Sequence, residues 1–66
     1  MTLNPQSLQG EALLGLEKVD VDAFIARVRE VYHRQASVRK AAEELGIGER
    51  TLQRRIRKYS EALERR

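Results

Sequence analysis

The sequence predicts an all-α fold, a small domain of three to four helices. Three observations carry this. Apolar residues recur at three- and four-residue spacing, not in strict alternation. Helix-capping residues precede the periodic stretches, and glycines follow them. The composition, 35% charged and 5% aromatic with one proline, reads as soluble and helical.

Each element has its own signal. Residues 1–5 are expected to fray, although Asn4 followed by Pro5 is a cap-then-first-position pattern. A short helix is predicted from there through Leu14, with Leu8, Ala12 and Leu13 on one side. Gly10 should weaken it and Gly15 should end it. The next helix is predicted over residues 20–34, capped by Asp20 or Asp22. Its apolar stripe is Val21, Phe24, Ile25, Val28, Val31 and Tyr32, with Arg27, Arg29, Glu30 and Arg34 mostly on the other side. Ser37 is the next cap. Lys40 stands where a reciprocal capping box would have Glu, so this cap is single-sided. A helix over 38–45 turns Val38, Ala41, Ala42 and Leu45 inward and ends at Gly46. The last helix runs from Glu49 to at least Tyr59, buries Leu52, Ile56 and Tyr59, and meets no breaker through Glu61, Ala62 and Leu63.

Composition narrows the function. With no cysteine, disulfides and thiolate metal sites are excluded, and His33 is the single histidine. No apolar run approaches the roughly 20 residues of a membrane helix, and the start of the chain lacks a signal-peptide pattern. The expectation is a cytoplasmic protein that uses no cofactor, metal, membrane or small-molecule ligand. A 66-residue chain without cysteines is expected to gain stability from a partner subunit. Charge is uneven. Residues 1–26 hold one base and four acids, a net of −3; residues 27–66 hold twelve bases and six acids, a net of +6. A polyanion would dock on the second part. The expected division is residues 1–19 as an N-terminal segment and 20–66 as the binding domain.

The stretch AAEELGIGERTLQRRIRKY carries a helix-turn-helix pattern. Ala41 and Ala42 are small enough for two helices to cross closely. Gly46 tolerates a positive φ in the turn, and Ile47 plugs it. Leu52 and Ile56 anchor the second helix. At ~100° per residue, Arg50, Gln53, Arg54, Arg57 and Lys58 then share one outward face. Arg and Gln suit guanine and adenine edges, and Arg and Lys also hold phosphate. Arg50, Gln53 and Arg54 are expected nearer the bases, and Arg57 and Lys58 on the backbone. Thr51 is expected to reach a phosphate. Ser37 and Arg39, with the amides that start their helix, are expected to hold another.

With these residues in view, VRKAAEELGIGERTLQRRIRKY resembles the DNA-binding module of the Fis family, which also ends the NtrC-type enhancer-binding regulators. The resemblance rests on Ala41, Ala42, Leu45, Gly46, Ile47, Thr51, Leu52, Arg54, Arg55, Arg57, Lys58 and Tyr59. It implies a bacterial transcription regulator that binds double-stranded DNA as a homodimer, with a recognition helix in each of two successive major grooves. The interface would be formed by the preceding helices through Val21, Phe24, Ile25, Val28, Val31 and Tyr32. An inverted-repeat site, DNA bending and nucleoid association go with that reading. Two positions depart from the family pattern: Gly48 stands where a polar cap is usual, and Glu49 where a base is frequent.

Other features read more plainly. His33 is expected at the surface near a helix C-terminus, and Phe24 and Tyr32 in the core or dimer contact. Glu43 and Glu44 are expected on an exposed helix face without partner groups, which gives no basis for catalysis. Arg65 and Arg66 read as a solvated end. A nucleoid-type DNA-bending protein of loose specificity, or a helical protein-interaction module working through residues 20–34, are the competing readings.

Overall fold

Residues 9–64 are described by the computed structural model. Among these residues five helices follow one another: α1 Gly10–Val19, α2 Val21–Arg34, α3 Val38–Leu45, α4 Glu49–Lys58 and α5 Ser60–Glu64. There is no strand among the described residues, and the fold is all-α. The signals expected at Asn4, Pro5, Leu8, Arg65 and Arg66 lie outside the described residues.

The first helix is displaced from its expected position. Gly10 opens it and Gly15 sits inside it. Gly10 has a φ of +58°, and a Cβ there would come within 3.4 Å of the Gly46 carbonyl oxygen. The start of α1 is therefore fitted against the turn after α3, which needs a glycine at this point. Gly15 costs α1 about 1 kcal/mol relative to alanine, too little to end a helix that packs on both sides of it. Leu13 is fully buried, and Leu14 and Leu16 pack against the same core.

Asp20 ends α1 and starts α2. Its amide donates to the Leu16 carbonyl at 2.7 Å, and its carboxylate accepts from the Ala23 amide at 3.2 Å. Phe24, Arg27, Val28 and Val31 form the buried side of α2. Arg27 was expected on the outer side, yet it is buried. It lies three residues after Phe24 and four before Val31, on the inward ridge, where an arginine stem can cover apolar surface. Its guanidinium meets Glu30 at 3.6 Å.

The core joins all five helices through Leu13, Phe24, Val28, Val31, Ala41, Ala42, Leu45, Leu52 and Leu63. The last helix does not run on unbroken. Helix α4 stops at Lys58, Tyr59 turns with φ −113° and ψ 29°, and α5 restarts at Ser60. In a straight helix Leu63 would sit about 16 Å beyond Leu52, at ~1.5 Å per residue. The turn folds it back onto α2, where it is 1% exposed. His33 Nε2 donates to the Leu63 carbonyl at 2.7 Å, so this histidine ties α5 to the end of α2.

Candidate nucleic-acid interface

The helix-turn-helix is built as its residues dictate. The Ser37 hydroxyl accepts from the Lys40 amide at 3.2 Å and caps α3. Gly46 takes a left-handed φ of +70°. Its amide then donates to the Glu43 carbonyl at 3.2 Å, and the Ile47 amide to the Ala42 carbonyl at 3.1 Å. These bonds satisfy carbonyls that the helix end would leave open. Ala41 and Ala42 of α3 are buried in the core, and Ile47 packs from the turn against it. Leu52 is fully buried and Ile56 half-buried, which fixes the inward side of α4.

The opposite side of α4 is free. Arg50, Gln53, Arg54, Arg57 and Lys58 are all exposed and line one open depression of about 440 Å³. These five predicted residues come together. Thr51 is half-buried on the flank. Ser37 and Arg39 lie at the start of α3 instead, where Arg39 is exposed and 3.8 Å from Glu43. Helix α4 begins at Gly48 with no side-chain cap, and Glu49 is exposed in its first turn.

A second cluster was not visible in the local sequence pattern. Glu17 of α1 is almost buried, at 11% side-chain exposure. Its carboxylate accepts from Arg55 Nε at 2.8 Å and from the Tyr59 hydroxyl. Lys58 Nζ is 3.8 Å from the same carboxylate and 5.3 Å from the Tyr59 ring centre. Burial pushes the Glu17 pKa up, but the bonds from Tyr59 and Arg55 and the charges of Arg55 and Lys58 outweigh it. The carboxyl is held below its ordinary value. The Tyr59 hydroxyl is shifted up, first by its bond to Glu17, then by burial and the carboxylate charge. The Tyr59 ring also meets Phe24 edge-on at 5.9 Å, so the cluster sits on the core. Glu17 is 38 residues from Arg55 and 42 from Tyr59, a separation that no periodicity reveals.

Glu44 corrects another expectation, that of an exposed acid without partners. It is half-buried and accepts from Arg34, and from Gln35 Nε2 at 2.5 Å. Its main-chain carbonyl accepts from Gln9 Nε2 at 3.0 Å. The crossing of α3 over the end of α2 brings it there, whereas Glu43, one residue earlier, stays outside. The residues proposed for pairing between subunits divide in two. Phe24, Val28 and Val31 are spent on the core of their own chain. Val21, 40% exposed, and the half-buried Ile25 and Tyr32 keep outward surface.

Residues 34–59 match the family model described as "Bacterial regulatory protein, Fis family". This segment is a Fis-type helix-turn-helix. Comparisons with curated proteins and with solved structures gave no match. The Fis-type segment holds α3, the turn and α4, while α1, nearly all of α2 and α5 lie outside the matched residues. Its general role is DNA binding in transcription regulation, and the Fis type is not a catalytic unit. Among the described residues, no group of three His, Cys, Asp or Glu could hold a metal ion, and no helix is long and apolar enough to cross a membrane.

Proposed function

We propose that the protein binds specific double-stranded DNA sites as a homodimer, inserts α4 into the major groove and acts as a nucleoid-associated transcription regulator. One observation carries this: four cations and Gln53 share the exposed side of α4, the second helix of the Fis-type segment. Arg50, Gln53 and Arg54 read base edges, and Arg57 and Lys58 hold the backbone. Thr51, Ser37 and Arg39 add phosphate contacts at the flank and at the start of α3. The exposed parts of Val21, Ile25 and Tyr32 support pairing of two α2 helices, because they leave apolar surface on the outer side of α2. The binding unit takes in α1 as well, since Leu13 belongs to the shared core.

Selection of bound sequences from a random DNA pool tests specificity, half-site symmetry and spacing together. A preferred inverted repeat is expected. Arg54→Ala should then lose about 1–3 kcal/mol of discrimination at one base position. A pool with no preferred sequence at moderate salt would leave DNA bending of loose specificity. A monomer of 7.6 kDa at micromolar concentration in sedimentation would remove the dimer.

A further inference from the structure

Viewed down α4, the outward side chains form a continuous basic sector. At ~100° per residue, Gln53, Arg57, Arg50, Arg54 and Lys58 follow one another around the helix, and Arg55 is the next cation, about 60° beyond Lys58 and past the half-buried Thr51. A free Arg55 would widen the sector toward α1. It is not free: Arg55 is 29% exposed and bonded through Nε to Glu17, which is itself almost buried. The same carboxylate lies near Lys58, which remains 62% exposed. An almost buried carboxylate thus stands at one edge of the basic face and neutralises the arginine that would extend it.

We propose that Glu17 sets the sequence-independent affinity of the DNA-binding surface, as a built-in counter-ion that withholds Arg55 from phosphate and tempers Lys58. The inference rests on the DNA-binding reading above. Phosphate contacts add affinity for every sequence alike, whereas base contacts discriminate. A cation kept off the backbone lowers binding to every sequence by the same factor and leaves base reading by Arg50, Gln53 and Arg54 in place. The depressed pKa of Glu17 fits this role, since the group stays charged near neutral pH. The Tyr59 hydroxyl and the edge-on contact with Phe24 fix the carboxylate from below, so the pairing is part of the fold and not a passing surface contact.

The test measures binding of a selected duplex and of a random duplex across a range of salt. The full chain is compared with Glu17→Gln, Glu17→Gln/Arg55→Gln and Arg55→Gln. Glutamine keeps the shape of Glu17 without its charge. Glu17→Gln should bind the selected and the random duplex several-fold more tightly alike, leaving the ratio between them unchanged. Its plot of log affinity against log salt should steepen by about 0.9 per chain, the slope of one added phosphate contact. The double variant should return to the parent slope. Arg55→Gln alone should keep the parent slope, and this arm stands even if Glu17→Gln fails to fold. The proposal is overturned by an unchanged or shallower slope in folded Glu17→Gln, or by a loss of about 0.9 in Arg55→Gln, which would mean that Arg55 already touches DNA. If the parent chain binds neither duplex at low salt, the DNA-binding reading itself fails, and this inference with it.

Discussion

Helices α1 and α3 each meet a glycine after an apolar stretch, Gly15 in one and Gly46 in the other, yet the chain leaves the helix only at Gly46. The difference lies in what surrounds them. At Gly46 the left-handed φ lets two amides reach back to Glu43 and Ala42, and Ile47 turns at once into the core. The helix end is closed by hydrogen bonds and by an apolar contact together. At Gly15 nothing of the kind is offered. Leu13, Leu14, Leu16 and Glu17 all find their partners only if the helix continues. A glycine permits a stop, and the residues around it decide whether the stop is worth making.

This comparison can be broken or sharpened by substitution. The largest effect should come from Leu13→Ala, which removes a fully buried side chain and should cost about 2–5 kcal/mol. Were α1 an appendage of the helix-turn-helix, thermal melts would show a far smaller loss. Gly46→Ala comes next. The left-handed conformation costs an alanine about 1–2 kcal/mol. Its Cβ would also meet the Gly10 amide nitrogen at 3.1 Å, so the start of α1 must shift. Urea titration should show this variant well below the parent. Gly15→Ala should act in the opposite direction. A Cβ there meets nothing within 4 Å. The gain should be about 1 kcal/mol, or roughly 4–8 °C in Tm for a domain of this size. A loss at Gly15 would show that the helix needs the glycine after all.

The smallest effect concerns pH and the α1–α4 link. Glu17 has a pKa below its ordinary 4.5 in the folded chain. Its stabilising share is therefore whole above that value and fades as pH falls through the folded pKa. Tyr59 is displaced upward from 10.0, so its share holds below pH 10.0 and fades as pH rises through the folded pKa. Glu17→Gln should flatten the acid side of the stability profile. An acid limb as steep as the parent's would assign the dependence to other carboxylates.

Much of the site was legible because its rules are local. Ser37, Gly46, Ile47, Leu52 and Ile56 each meet a demand set within a few residues, and helical spacing alone aligns Arg50, Gln53, Arg54, Arg57 and Lys58. Arg27 and Glu44 were misplaced for a common reason. Spacing tells which residues share a side, but not how far a neighbouring helix wraps around it. Tyr59 shows the same limit. No breaker marks it, and the bend there appears only because Leu63 has a core to reach.

The sequence by itself determined the helix-turn-helix, its caps, its turn and the composition of its exposed face. These follow from backbone preference and from side-chain spacing along one helix, which act over a handful of residues. Only the tertiary structure decided that α1 belongs to the core, that Gly10 and Gly46 approach each other, and that Glu17 holds Arg55 and Tyr59. Those contacts join residues that are far apart in the chain. They exist because burying Leu13, Phe24 and Leu63 in one core fixes where every attached polar group must find its partner.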